Sequence, residues 1–569
     1  MTQQEIVASL PAHLRPFVQL QEYAQYTPRD QAVWRFIMRQ LTRRLRDTAH
    51  PVYLEGLART GIALDHIPSV DEMNACLAQL GWRAVVVDGF IPPAIFMEFQ
   101  ALKVLVIALE MRSVEHIFYT PAPDIVHESA GHAPFLVDVD YAEFLQRFGE
   151  IGMKAIATHQ DFVQYEAVRH LSMVKEAPAS TAADIAAAEL ALEEAMAVTE
   201  EPSEAALLTR LHWWTVEYGL VGELEDYHIF GAGLLSSLGE SRHCLDDQQV
   251  RKLPLTVDAV TVPYDITREQ PQLFVSKSCR HLSQVLEEFA AAMCFQRGGA
   301  ESLRKAIAAG TVCTARYDSG VQVSGQFVEV LCDSVGKAVY LQTTGPTQLA
   351  WRDTEIYGHG TAAHAEGFGS PVGRLKDFSR CLSEYSVDEL RAHHIVIGEP
   401  VVLEFLSGIT VRGRLQHVLR QDQRNLLLSF ADCTVTDLQG RILFEPAWGQ
   451  YDMAVGAFID SVYGGTADRE RYQLYKAVPV TAAVRPAADA TLQELYRQLA
   501  DLAAGAGAAD LATGLAAYPD EWLLRVEVLA AGTAVDGALR QGALADLQRI
   551  ADAREDLREV IGLALEAAA

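Results

Sequence analysis

His127-Glu128-Ser129-Ala130-Gly131-His132 places two imidazoles five residues apart between apolar flanks, and that spacing constrains the backbone more than any other feature of the chain. At about 100° per residue, a four-residue step along an α-helix returns to nearly the same face, whereas a five-residue step lands about 140° away. Two histidines meant for one ion therefore cannot share an uninterrupted α-helix. The pattern also departs from the zinc-peptidase HExxH motif, whose histidines lie one helical turn apart. The expectation is a helix that ends between the ligands. Gly131 would take the left-handed turn, Pro134 would disfavour the α conformation at Ala133, and His132 would swing back towards His127.

A third ligand is expected from Trp213-Trp214-Thr215-Val216-Glu217-Tyr218-Gly219, where Glu217 is embedded among bulky apolar residues. A carboxylate there is costly to bury unless it is paired or bound to a metal. His127, His132 and Glu217 would form a two-histidine, one-carboxylate triad. Such a triad leaves adjacent coordination positions open and suits ferrous iron in oxygen chemistry.

Three motifs then resemble the pterin-dependent aromatic amino acid hydroxylases, in that family's order. They are Pro123-Asp124-Ile125-Val126-His127-Glu128-x-x-Gly131-His132-x-Pro134, Trp213-x-Thr215-Val216-Glu217-Tyr218-Gly219-Leu220 and Gly231-Ala232-Gly233-Leu234-Leu235-Ser236-Ser237-x-Gly239-Glu240. The stretch from Tyr23 to about Cys294 can be laid along the family's catalytic domain. The resemblance implies Fe(II) on His127, His132 and Glu217, with tetrahydrobiopterin or a related reduced pterin and O2 as co-reactants. It gives Arg112 the role of clamping the substrate carboxylate and Asp124 that of orienting the arginine; a guanidinium fork suits the task because it meets a carboxylate through two parallel hydrogen bonds. Phe96 falls where the family stacks a ring on the pterin, and Glu128 would hydrogen-bond that cofactor. Thr120, Trp213 and Ser236 would line the amino acid pocket.

The chain departs from the pattern in three places. Ser129 and Ala130 replace bulky aliphatic residues behind the ligands. Ile91-Pro92-Pro93-Ala94 replaces the family's Leu-Ser-x-Arg ahead of the stacking aromatic. Glu217 follows His132 by 85 residues, a longer interval than the family's, and the extra material is placed at residues 173–208. Its centre, Thr181-Ala182-Ala183-Asp184 and the alanine- and glutamate-rich run after it, reads as a capped helix ended before Pro202. A lid, a spacer and an interface are all open readings of it.

Along the chain, residues 10–64 are helical in pattern, with Thr27-Pro28-Arg29-Asp30 as a cap and N1 proline. Val85-Val86-Val87 reads as a short strand, residues 96–111, 141–149 and 204–224 as helices, and 281–294 as a closing helix. The expected fold is multidomain: a mainly α-helical catalytic domain over residues 1–300, a duplicated β-rich domain over 311–480 and an α-helical region over 485–569. The duplication rests on Ser319-Gly320-Val321-Gln322-Val323-Ser324-Gly325 and Ser407-Gly408-Ile409-Thr410-Val411-Arg412-Gly413, which match at an offset of 88 residues. Alternation with glycine turns argues for strands, arranged as two small barrels or half-sandwiches. His359 and His364 repeat the five-residue spacing of the iron histidines, but in a glycine-rich loop they read as surface residues; His393 and His394 read as pointing to opposite sides of a strand. Leucines 492, 495, 499 and 502, and Leu547, Ile550 and Leu557, read as intramolecular core stripes, because the runs are short for a coiled coil.

Composition sets the outer bounds. A net charge of -28, from 47 basic and 75 acidic residues, argues against a nucleic-acid groove. Eight cysteines without a CxxC pair read as reduced thiols of a cytoplasmic protein. The start lacks a signal-peptide pattern, and no apolar run is long enough to span a membrane. Homo-oligomerisation is possible for such a chain. The resemblance implies hydroxylation of L-phenylalanine to L-tyrosine. The alternatives are a tyrosine or tryptophan hydroxylase, a zinc-dependent hydrolase, and a non-catalytic regulatory protein on the same fold.

Overall fold

In the computed structural model of the chain, all residues are described except 88–89, 119–122, 177–179, 199–200, 267, 478–488, 505–510 and 569. Thr120 and Thr199 lie outside the described residues.

Thr27 caps the helix Pro28–Leu45 through a reciprocal bond with Asp30. That helix presents Trp34, Phe36, Ile37, Met38 and Leu41 to the largest core. The expected helix over 96–111 is instead a helix, Pro93–Ala101, followed by a strand, Val104–Ala108, lying parallel to Arg83–Val87. Val-Leu-Val-Ile is buried on both faces, as a strand in a parallel pair must be, and β-branched residues favour that state over a helix. Similarly, the helix expected over 204–224 ends at Glu217, and Leu220–Glu223 enters a four-stranded sheet with Asp226–Ile229, Gln272–Ser276 and Arg251–Pro254. The N-terminal half is therefore mainly helical but carries two small sheets.

Glycines set the closest packing. A Cβ on Gly56 would lie 2.2 Å from the carbonyl oxygen of Pro134, so the helix Val52–Arg59 can rest on the turn after His132 only without a side chain there. Gly56→Ala is expected to lower the melting midpoint by the equivalent of about 1–3 kcal/mol, the usual penalty of overpacking a core. A thermal melt unchanged from wild type would contradict this packing.

The extra material contains the helix Ala182–Ala197, opened by the Thr181/Asp184 capping box, and this helix packs antiparallel on the helix before it, His159–Glu176, most of which precedes residue 173. The side-chain amide of Gln160 donates to the Ala195 carbonyl (2.6 Å), and Lys175 pairs with Glu189.

The 88-residue repeat is visible as two antiparallel meanders. One is Val312–Tyr317, Val321–Cys332 and Ala338–Trp351; the other is Pro400–Glu404, Thr410–Gln421 and Arg424–Thr436. Each turns its first corner with a glycine at positive φ, Gly320 (+97°) and Gly408 (+88°), whose N–H bonds back to Tyr317 and Phe405 respectively. The meanders grow into open sheets of six and five strands rather than barrels. Their added strands Gly369–Pro371 and Tyr451–Ala454 meet where the Ser370 hydroxyl bonds both the N–H and the carbonyl of Ala454. His393 and His394 follow a short helix, Val387–Ala392, and are not in a strand; the ring of His393 packs on Phe378 at 4.4 Å. His359 and His364, expected at the surface, are largely buried because the loop that carries them folds against Asp452.

The later regions dock on the first. The helix Gly299–Ala309 buries Leu303 and Ala306 in a core shared with the first sheet and Ile156. Arg469 reaches back to Glu98 (2.8 Å), which also meets His13 (2.8 Å). The C-terminal helices Ala490–Ala503, Trp522–Ala530 and Gly537–Ala553 join the main core: Leu495, Leu499, Leu547 and Ile550 are buried, and Trp522 packs edge-on against Phe36 (5.3 Å). Arg35 forms a buried pair with Glu527 (Nε to Oε2 2.9 Å) and Arg29 pairs with Glu521 (2.8 Å). Among the described residues, no helix is long and apolar enough to cross a membrane.

Candidate active site

The five-residue spacing is accommodated by widening the helix instead of breaking it. Val126–His132 is a π-helix, in which each N–H bonds five residues back, so positions 127 and 132 fall one turn apart on one face. Gly131 has no positive φ; it allows close approach, since a Cβ there would lie 2.9 Å from the Ala232 carbonyl oxygen. Pro134, lacking an N–H, ends the ladder and starts the tight helix Ala133–Val137. Glu217 ends a second π segment, Trp213–Glu217. Both wide turns contain a hydroxyl bonded to the carbonyl four residues back: Ser129 to Ile125 and Thr215 to Leu211. Such bonds take an acceptor from the ordinary ladder and loosen it.

These turns bring the predicted ligands together. Nε2 of His127 lies 3.2 Å from Glu217 Oε2 and 3.2 Å from Nε2 of His132, which lies 3.5 Å from Glu217 Oε1. Ligands about 2.0–2.2 Å from one ion in tetrahedral or octahedral array sit at about such separations from each other. The two rings are nearly perpendicular, at 86°. Nδ1 of His127 lies 3.1 Å from the Ser236 hydroxyl, which itself donates to the Ala232 carbonyl; Nδ1–H is thus the donor there, and Nε2 is the ring nitrogen turned to Glu217.

Burial opposes ionisation of Glu217, but the neighbouring histidines His132, His127 and His212 outweigh it and hold the carboxyl well below the usual range. Burial likewise opposes a charge on His127, yet the hydrogen bond and charge of Glu217 raise it to about 9. His132 is pushed down to about 3 by burial, and Glu128 up to about 8 by the same cause. The centre therefore holds an ionised carboxylate between two histidine rings at low exposure, a donor set that fits a divalent cation.

Arg112 and Asp124 form a buried bidentate pair, Nε to Oδ2 and Nη2 to Oδ1 both 2.7 Å. Asp124 also accepts from the backbone N–H of His127 (3.0 Å), and Arg112 Nη1 donates to the Ser236 carbonyl (3.1 Å). Of the guanidinium's five donors, these bonds use three; among the described residues, two remain for a ligand. Trp213 packs against the rings of Tyr218 (4.6 Å) and Tyr264 (4.3 Å), with a buried Nε1–H that lacks a hydrogen-bond partner among the described residues. Phe96 meets His212 edge-on at 6.0 Å.

Phe96, Arg112, His127, Glu128, His132, Trp213, Glu217 and Ser236 all line one cavity of about 1310 Å³. Phe162, Tyr165 and Met173 of the helix His159–Glu176 form part of its wall, and Tyr472 and Tyr475 approach it from the β-rich region. His212 is the neighbour that sequence reasoning missed. Its Nδ1 is 3.5 Å from Glu217, and its Nε2 is buried without a hydrogen-bond partner among the described residues. The signal was available: His212 precedes Glu217 by five residues, the same π-turn interval.

The sequence profile of the family described as biopterin-dependent aromatic amino acid hydroxylases matches residues 17–174 and 166–297. Phenylalanine-4-hydroxylase of Pseudomonas aeruginosa is 28% identical over 267 residues, covering 47% of this chain and 85% of that protein. The Mesorhizobium japonicum phenylalanine-4-hydroxylase is 29% identical over 265 residues, covering 46% of this chain and 80% of that protein. A crystal structure of Chromobacterium violaceum phenylalanine hydroxylase with bound oxidized Fe(III) aligns at 24% identity and a TM-score of 0.39, covering 51% of this chain and 92% of that one.

Proposed function

Since the N-terminal half of this chain belongs to the biopterin-dependent aromatic amino acid hydroxylase family, we propose that it hydroxylates free L-phenylalanine to L-tyrosine, with Fe(II) on His127, His132 and Glu217. The observation that carries this reading is the convergence of those three side chains beside the two remaining donors of Arg112 in one cavity. When bound, ferrous iron and a reduced pterin together supply the activation of dioxygen. The chain's own share is to bind, orient and exclude water.

Arg112 takes the substrate carboxylate on its two remaining N–H donors, while Asp124 holds the guanidinium in place and anchors the start of the ligand helix. Ser236 couples the two halves of the site, since its carbonyl receives Arg112 and its hydroxyl fixes the His127 tautomer. Trp213 borders the side-chain pocket. Phe96 offers its ring to the pterin, and Glu128, kept protonated by burial, offers that ring system a donor as well as an acceptor. Catalysis occupies residues 1–300; the β-rich and C-terminal regions support that fold. Phenylalanine is preferred because the bacterial relatives carry that activity in their names.

Incubating the iron-loaded protein aerobically with tetrahydropterin and, separately, phenylalanine, tyrosine and tryptophan tests this, with products identified by mass and retention. Tyrosine should form from phenylalanine. Turnover of another ring alone would reassign the substrate, and turnover of none would refute the activity. Replacing the clamp gives a second check. Arg112→Lys should raise the KM for the amino acid by about 10- to 100-fold with a smaller change in kcat, because a charge-assisted hydrogen bond contributes about 1.5–3 kcal/mol. A wild-type KM would place the carboxylate elsewhere.

A further inference from the structure

Far along the chain from the hydroxylase ligands, His359, His364 and Asp452 turn donor atoms towards one point. His359 Nδ1 lies 3.3 Å from His364 Nε2 and 3.6 Å from Asp452 Oδ2; His364 Nε2 lies 3.9 Å from the same oxygen. Neither ring nitrogen is within hydrogen-bond reach of that oxygen, yet the side chains are only 15%, 9% and 8% exposed. The two imidazoles meet each other, but neither reaches the carboxylate oxygen turned towards them, so a charged group and two ring nitrogens face one gap at low exposure. Donors about 2.0–2.2 Å from a shared ion in tetrahedral array lie about 3.4 Å apart, close to the separations seen here.

We propose that His359, His364 and Asp452 form a second metal site that takes a divalent first-row transition ion of the zinc class and fastens the first β-repeat to the second.

The surroundings are those of a held ligand set. The side-chain amide of Gln450 donates to Asp452 Oδ1 (3.0 Å), leaving Oδ2 as the oxygen turned to the histidines. The histidine loop is laced to the strand Ala338–Trp351, with Leu349 N–H on the His359 carbonyl (2.9 Å) and Thr347 N–H on the His364 carbonyl (3.0 Å). Asp452 belongs to the strand Tyr451–Ala454, registered opposite Ser429 in the second meander. An ion at this point would therefore cross-link two sheets that their backbone ladders do not join directly. The carboxylate argues against an anion between the imidazoles. Imidazole nitrogen and carboxylate oxygen without thiolate suit zinc and its neighbours better than calcium or magnesium, which prefer all-oxygen shells.

Metal counting on the full-length chain tests the site. Chelator-stripped protein is titrated with Co(II), followed by visible absorption, and with Zn(II), followed by calorimetry and the melting midpoint. Wild type should bind two equivalents. The His127→Ala variant should keep one, and Zn(II) should still raise its melting midpoint. Adding Asp452→Asn to His127→Ala should abolish both the remaining equivalent and the thermal shift. One equivalent on wild type with none on His127→Ala would overturn the proposal, whatever the stability of the Asp452 variant. So would a second equivalent that survives Asp452→Asn in a chain whose circular dichroism is that of wild type. Because the deciding count is made with the hydroxylase triad disabled, failure here is distinguishable from failure of the proposed activity.

Discussion

Glu217→Ala is expected to lose iron and hydroxylation together. The side chain is the only carboxylate among the three converging ligands, and it touches both histidines at 3.2 and 3.5 Å. Removing it leaves His127, His132 and His212 facing one another in a buried pocket, a cluster that repels a cation once any ring is protonated. Loss of a residue that merely supports a ligand typically costs 10- to 100-fold in metal affinity, so loss of the ligand itself should exceed about 100-fold. Iron content after dialysis and product formation under saturating pterin are the two measurements. Retention of iron with loss of turnover would shift Glu217 from holding the ion to acting on a reactant. Retention of both would remove it from the site. The fold should survive, because the mutation relieves the burial of a carboxylate and leaves the two π turns with their own hydrogen bonds.

Truncation after Gly299 should give a chain that does not fold to an active monomer. Charge pairs and apolar packing across the interface both argue for this. Glu98 would lose Arg469 and keep only His13 as partner, and Arg35 would lose Glu527, each a buried pair at 2.8–2.9 Å. Both pairings are lost, although the charges left behind then meet water, so their loss adds modestly to the exposure of apolar surface. The face of Pro28–Leu45 that packs against Trp522 and Tyr496 would also meet water, as would Ile156 and Cys294 without Leu303 above them. Against a total stability of about 5–15 kcal/mol, those losses are decisive. The measurements are soluble yield, a cooperative melt and turnover of the fragment. A fragment that melts like the full chain and turns over at its rate would mean that the later regions serve regulation or assembly instead of folding.

Much of the fold is legible in the sequence. Thr27-Pro28-Arg29-Asp30 and Thr181-Ala182-Ala183-Asp184 announced helices because capping is a local bargain between a hydroxyl and an amide three residues on, and both boxes form. The 88-residue offset was visible because glycine at a positive-φ corner leaves a fixed mark, and both meanders turn there. The misreadings share a cause. Val104–Ala108 reads as helix from sequence because a fully buried apolar run has no periodicity of its own, and its partner strand decides its state. Nothing in the sequence singles out Asp452, because no local pattern connects it to histidines about 90 residues earlier.

Residue identity and spacing alone determined which side chains could bind the metal: two imidazoles and a carboxylate with apolar neighbours are costly to keep unless something charged lies among them. Only the tertiary structure decided how they meet. Helix type is set by competition for backbone acceptors and by how closely Gly131 can approach Ala232, and those terms depend on what packs against the segment. The same holds for the second cluster of histidines, whose spacing was in plain view. Their burial against Asp452 arises from two sheets folding together, a long-range contact that neither loop encodes by itself.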